Sequence, residues 1–187
     1  FSQTNTTPMK YKILTLLFFF SMLGMAQQNL NIIPKPESIE IHNGSFTLNK
    51  ETVIQANNNL VEAQYLQKSI KELTGLDLKI QSAVNKPNRI VLAHSEVKRK
   101  SSDGYELLIS NKKFAAIYAK TPEGFFYGIQ TFLQLLPLEN KDIISLPCLS
   151  IQDDSKFQWR GMHLDVSRHF FPKDFIKKYI DYLAMYK

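Results

Sequence analysis

The sequence predicts an α+β domain followed by the beginning of a (β/α)8 barrel, and two observations support that fold class. First, short alternating runs cluster between two segments with apolar residues at helical spacing, which favours a mixed or antiparallel sheet with both helices on one face. Second, residues 161–166 alternate apolar and other side chains, run into a polar cluster, and precede an amphipathic segment that starts after Pro172. That order is typical of one βα unit, and one unit cannot close a barrel, so a longer protein is expected.

The N-terminus predicts an exported protein. Met9 is the first methionine, and residues 1–8 are interpreted as upstream, non-native sequence. Two lysines precede an apolar run at 13–24, and Gly24 and Ala26 place small residues at the −3 and −1 positions of a cleavage site, which is the pattern of a signal peptide over residues 9–26. The run is short for a bilayer span. We therefore expect cleavage, a periplasmic or extracellular mature protein, and no stable membrane anchor; a short buried helix or an uncleaved anchor is the alternative.

The composition indicates a globular protein without an obvious cofactor. Hydrophobic residues make up 44% of the chain and charged residues 21%, which is enough apolar material for a core. The formal net charge is +6, but the longest basic run, at 98–100, has no stacking aromatics beside it, so no nucleic-acid partner is expected. Cys148 is the only cysteine, which excludes an intrachain disulfide and two-cysteine metal sites. We expect no cofactor and no bound metal.

The α+β domain is assigned to residues 27–152. An extended segment with two prolines at 32–36 precedes two short runs in which apolar and polar residues alternate. Asn43-Gly44 predicts a turn between these runs. Apolar residues at helical spacing predict a helix over 60–73. Further strands are predicted at residues 78–80, 89–93, 105–110, 114–119 and 143–146.

Both predicted helices have clear end signals. Gly75 suits the C-terminal cap of the first helix. The second begins with Thr121 as its N-cap and Pro122 at the first helical position, and Pro137 stops it. Its apolar face, between residues 125 and 136, is interpreted as core rather than as a ligand groove.

A linker from about residue 148 to 157 leads into the predicted βα unit, which is assigned to residues 153–187. Barrel enzymes carry their chemistry at the C-terminal ends of the strands, and here that end carries Asp165, Arg168 and His169. The guanidinium of Arg168 offers a fixed fork of donors that suits vicinal hydroxyl groups; an ion pair with Asp165 that closes the barrel mouth is the alternative.

The neighbours of Arg168 are given supporting roles. Asp165 is interpreted as an orienting group rather than as a catalytic acid. His169 is interpreted as a structural histidine, although it could donate to a barrel carboxylate. Arg160 lies at the opposite end of the predicted strand and is interpreted as structural.

Three motifs occur in a fixed order. They are Ile-Pro-Lys-Pro at 33–36, Thr-Pro-Glu-Gly-Phe-Phe-Tyr-Gly-Ile-Gln-Thr at 121–131, and Trp-Arg-Gly-Met-His-Leu-Asp-Val-Ser-Arg-His-Phe-Phe at 159–171. Together they resemble bacterial β-N-acetylhexosaminidases of glycoside hydrolase family 20, over about residues 31–187. One departure is Asp-Ser-Lys-Phe at 154–157, where the family often has Asp-x-Pro-Arg-Phe.

The resemblance implies a retaining, substrate-assisted hydrolysis of terminal β-linked N-acetylhexosamine. The carbonyl oxygen of the 2-acetamido group attacks the anomeric carbon, a carboxylic acid protonates the leaving oxygen, and an aspartate orients the acetamide. The family's Asp-Glu pair lies on a later strand, so no catalytic residue is assigned here and these 187 residues alone are expected to be inactive. The resemblance places Arg168 on hydroxyl groups of the terminal sugar.

Other classes remain open. A non-catalytic carbohydrate-binding module would present exposed aromatics on a flat sheet, and the predicted strands offer only Tyr105 and Tyr118. O-GlcNAc hydrolases and α-glucuronidases have a similar first domain but are not expected to carry the motif at 164–170. A membrane-anchored interaction protein is a third alternative, which signal cleavage would test.

Overall fold

The fold is described from a computed structural model over residues 30–83, 86–95 and 100–187. The predicted signal peptide at 9–26 and the upstream residues 1–8 lie outside these described residues. Across the described part of the chain, no helix has the length and apolar character that a membrane crossing requires.

A seven-stranded mixed sheet forms the centre of the α+β domain. Its strands lie in the order β1-β7-β5-β6-β4-β2-β3, antiparallel from β1 to β6 and parallel from β6 to β3. The mixed sheet is therefore confirmed. The strands are β1 Ser38–Asn49, β2 Val53–Ala56, β3 Lys79–Gln81, β4 Arg89–His94, β5 Tyr105–Ser110, β6 Phe114–Ala119 and β7 Ile143–Asp153.

Two helices cover one face of this sheet, as predicted. Helix α1, Leu60–Thr74, packs on β2 and β3, whereas α2, Pro122–Leu133, packs on β5 and β6, and the two helices contact each other. Gly75 ends α1 in the left-handed conformation, with φ of 79°, and its N–H donates to the Lys71 carbonyl. Thr121 caps α2 by accepting a hydrogen bond from the Gly124 N–H at 3.3 Å.

The apolar stripe of α2 is core. Phe125, Ile129 and Phe132 are fully buried against the sheet. Gly128 allows the close approach, because a Cβ atom added there would lie 2.6 Å from Cγ2 of Ile117 on β6. The predicted interpretation of this stripe as core rather than as a ligand groove is confirmed.

The predicted turn at Asn43-Gly44 is wrong. Ser38–Asn49 is one continuous strand along β7, and its register shifts between Ile41 and Ser45. Gly44 has φ of 107°, a conformation that a bulge needs as much as a turn does. The two alternating runs continue in one direction because β7 is long enough to pair with both.

The predicted linker start at residue 148 is also wrong. Strand β7 continues through Asp153, since its second half pairs with β5 on one side and β1 on the other. Leu149 and Ile151 are buried there, which is the alternation of a strand with one face in the core.

The predicted barrel unit is present only in its helical half. Helix α3 spans Lys173–Met185, as the amphipathic pattern predicts. Within the described chain, however, residues 157–172 form no strand. A strand exists only through hydrogen bonds to a neighbour, and every described strand belongs to the seven-stranded sheet, so nothing pairs with residues 159–166.

Candidate functional site

Asp165 and Arg168 form a tight local cluster before α3. The Nε–H of Arg168 donates to Oδ2 of Asp165 at 2.6 Å. The other carboxylate oxygen, Oδ1, accepts hydrogen bonds from the backbone N–H groups of Ser167, at 2.9 Å, and Arg168, at 3.4 Å. One carboxylate therefore fixes both the turn and the orientation of the guanidinium.

The charge state of Asp165 follows from these contacts. The hydrogen bond from Arg168 lowers the pKa of Asp165 below its ordinary value, and the backbone hydrogen bonds from Ser167 and Arg168 lower it further. The carboxyl group is therefore ionised near neutral pH. An ionised carboxylate can orient a cation but cannot protonate a leaving group, so the geometry fits the orienting role predicted for Asp165.

The guanidinium of Arg168 keeps donors for a ligand. The side chain is 89% exposed, and only its Nε–H bonds to Asp165. Within the described residues its two terminal nitrogens have no hydrogen-bonded partner. The ion pair and a ligand contact are therefore compatible, because they use different nitrogens of the same group.

His169 takes part in an aromatic row instead of a polar network. Its ring lies edge-on to Phe171, with centroids 4.9 Å apart, and Phe171 stacks on Phe175 at 4.5 Å. Phe175 in turn stacks on Tyr179 of α3 at 6.3 Å. No hydrogen bond joins His169 to a carboxylate among the described residues, and its role stays a prediction.

Arg160 lies apart from this cluster. Its guanidinium bonds to Asp103 and Tyr127 of the α+β domain, which fits the structural role predicted for it. Lys187 makes comparable contacts with that domain, and sequence reasoning gave it no role.

The described part of the chain shows neither a metal-binding cluster nor an activated cysteine. No group of three or more His, Cys, Asp or Glu residues there could hold a metal ion. Cys148 is buried in β7, and its burial raises the pKa of the thiol, which disfavours a reactive thiolate.

The motifs predict a glycoside hydrolase in which an α+β domain precedes the catalytic domain. The described chain has that order: an α+β domain comes first, and a loop and a helix follow it. The chain belongs to glycosyl hydrolase family 20. Residues 29–154 match the model of glycosyl hydrolase family 20, domain 2, and residues 157–187 match that of the glycosyl hydrolase family 20, catalytic domain.

Similar proteins carry hexosaminidase names. A beta-hexosaminidase from Porphyromonas gingivalis is 34% identical over 174 residues, covering 86% of this chain but 22% of that protein. A GH20 beta-N-acetylhexosaminidase structure from Streptomyces coelicolor has a TM-score of 0.74 at 30% identity, covering 83% of this chain and 32% of its own. A Vibrio harveyi GH20 exo beta-N-acetylglucosaminidase, solved in complex with N-acetylglucosamine, has a TM-score of 0.71 at 26% identity. The match covers 84% of this chain and 24% of the Vibrio harveyi chain. The chain thus spans at most about a third of these proteins.

Proposed function

We propose that the complete protein is a β-N-acetylhexosaminidase that removes terminal β-linked GlcNAc or GalNAc from glycans or chitooligosaccharides. The observation that carries the proposal is the oriented guanidinium of Arg168, held by Asp165 at the start of the segment that matches the catalytic domain. A planar fork of donors suits adjacent hydroxyl oxygens of a sugar. The names of the similar proteins, and the N-acetylglucosamine bound to one of them, support the same substrate class.

The proposed reaction is retaining and substrate-assisted. The acetamido oxygen of the substrate forms the bond to the anomeric carbon as the glycosidic bond breaks, and a carboxylic acid gives its proton to the leaving oxygen. Asp165 does not supply that proton, because its hydrogen bonds keep it ionised. The resemblance to family 20 implies that the acid lies on a later barrel strand, outside these 187 residues.

The test is hydrolysis by the complete protein. We expect release of the chromophore from an aryl β-N-acetylglucosaminide or β-N-acetylgalactosaminide, with the β-anomer as the first product seen by NMR. The matched aryl β-glucoside lacks the acetamide and should not react. Equal turnover of the glucoside, or an α-anomer as first product, would contradict the substrate-assisted reaction.

A carbohydrate-binding module without catalysis receives less support from the sheet. Tyr105 is buried, and Tyr118 is only partly exposed. Aromatic rings that stack on sugars must be accessible, so these two strand tyrosines do not form the flat platform that such a module needs.

Export is proposed from the sequence pattern at residues 9–26. Mass spectrometry of protein secreted by a bacterial host should show an N-terminus at or near Gln27. Replacing the apolar run with a polar one should keep the protein in the cytoplasm, since the pattern depends on that run. A mature protein that retains Met9 would contradict cleavage and favour the uncleaved anchor.

A further inference from the structure

A buried lysine joins the end of the catalytic-domain segment to the α+β domain. The ammonium of Lys187 donates to the hydroxyl oxygens of Tyr105, at 2.6 Å, and Thr131, at 2.7 Å, and to Oδ2 of Asp153, at 3.0 Å. It also lies 4.7 Å from the centroid of the Tyr105 ring. The side chain is only 8% exposed and that of Asp153 17%, so this ion pair is largely shielded from water.

A second ion pair lies at the other end of the same segment. Nη2 of Arg160 donates to Oδ2 of Asp103 at 2.8 Å and to the Tyr127 hydroxyl at 3.1 Å, and the guanidinium lies 5.4 Å from the Tyr127 ring centroid. Nε of Arg160 donates to the Lys187 carbonyl at 3.1 Å, which links the two contacts. The side chains are 28% and 16% exposed.

The linker between the α+β domain and the catalytic-domain segment is hydrogen-bonded to the same region of the α+β domain. Oδ1 of Asp154 accepts hydrogen bonds from the N–H of Ser101, at 3.0 Å, and from its hydroxyl, at 3.1 Å. The Ser155 N–H donates to the Ser101 hydroxyl at 3.1 Å, and the Ser155 hydroxyl bonds to Asp103. The chain therefore leaves β7 along a hydrogen-bonded path instead of a free tether.

Both ion pairs combine the cost of burial with compensating contacts. Burial alone would raise the pKa of Asp103, but hydrogen bonds from Ser155, Arg160 and Ser101 together hold it below its ordinary value. Burial lowers the pKa of Lys187, and the Asp153 carboxylate opposes that shift. A charge that is removed from water is tolerated only when it is paired. Separating the α+β domain from the catalytic-domain segment would therefore break both ion pairs.

We propose that Asp103 and Asp153, with Tyr105, Tyr127 and Thr131, form a docking surface that couples the α+β domain to the catalytic domain. The surface lies where β5 begins and β7 ends, and Tyr105 and Asp153 are directly paired across these strands. Arg160 and Lys187 are the anchors that the catalytic-domain segment places on it. The role concerns folding and domain arrangement, and it holds whether or not the complete protein cleaves N-acetylhexosamine.

The experiment compares isosteric charge removals in the complete protein. Asp103→Asn, Asp153→Asn and the double variant are studied by differential scanning calorimetry beside Asp77→Asn. The control removes the same charge from an exposed ion pair, Lys71–Asp77 at 2.7 Å, which lies wholly within the α+β domain. Exposed pairs contribute little to stability, so Asp77→Asn should unfold like the wild type.

We expect the double variant to lose coupling between the domains. Wild type should unfold in one transition, whereas the double variant should show two, the earlier one shifted down by roughly 5–10 °C. Trypsin should then cut faster after Lys156 in the linker, which is exposed. A double variant that unfolds in one transition at the temperature of the Asp77→Asn control would overturn the proposal.

A charge exchange covers the case in which the double variant does not fold. Asp103→Arg alone and Arg160→Asp alone should each lower the unfolding temperature, because each places like charges together. The combined exchange should recover at least half of the loss, because it restores the pair in reverse. A combined variant no more stable than the sum of the two single losses would count against a direct coupling and overturn the role of Asp103.

Discussion

The 187-residue chain, purified alone, is expected to hydrolyse a chromogenic N-acetylglucosaminide no faster than a mock preparation. A positioned general acid contributes about 10²–10⁴-fold to such a reaction, and the resemblance to family 20 places that acid outside this sequence. The carboxylate beside the predicted sugar contact, Asp165, is ionised and already bonded to Arg168. Most of the wall of a sugar pocket would be missing as well.

Its apolar surface gives the isolated chain a second weakness. Trp159 and Phe170 are almost fully exposed, and α3 has no buried residue, with Ile180 open to solvent. Uncovered apolar surface of this kind favours aggregation. Light scattering must therefore accompany the assay, and the complete protein at the same molarity is the positive control. Turnover by a monodisperse preparation of the 187 residues would show that they contain a catalytic acid.

Local signals predicted the helix starts and the β5–β6 hairpin well, but the predicted stop of α2 at Pro137 is wrong, since the helix ends at Leu133 with Gln134 as its C-cap. Strands at 105–110 and 114–119 have the predicted bounds, because the loop between them is short and the first strand alternates buried and half-buried residues. Thr121 and Gly75 marked helix ends through their own side-chain and backbone chemistry. Such features depend on a few neighbouring residues and can be read from one sequence.

Distant pairing explains what the sequence missed. Asn43-Gly44 has the chemistry of a turn, and only the length of β7, about a hundred residues later, makes it a bulge. Residues 159–166 have the pattern of a strand but no described neighbour to pair with. Local contacts were also easier to predict than distant ones among the polar side chains. Asp165 and Arg168 are three residues apart in the sequence, whereas Lys187 and Tyr105 are 82 apart.

In the complete protein, Arg168→Ala is expected to lower kcat/KM roughly 10- to 1,000-fold. Each lost hydrogen bond to a charged donor costs about 1.5–3 kcal/mol, and 1.4 kcal/mol corresponds to about tenfold in binding. One or two such bonds fit the terminal nitrogens that Asp165 leaves open. Arg168→Lys should recover only part of the loss, since an ammonium cannot present two parallel donors.

Kinetics and thermal unfolding together separate the two roles of Arg168. Because its side chain is 89% exposed, its ion pair with Asp165 should contribute little to stability, and Arg168→Ala should leave Tm nearly unchanged. Lys177→Ala, which removes an exposed cation of α3, is the matched control and should leave both kcat/KM and Tm unaltered. If Arg168→Ala keeps the wild-type kcat/KM, Arg168 does not contact the sugar. If it chiefly lowers Tm, the ion pair with Asp165 is its main role, and the guanidinium serves the barrel mouth and not the substrate.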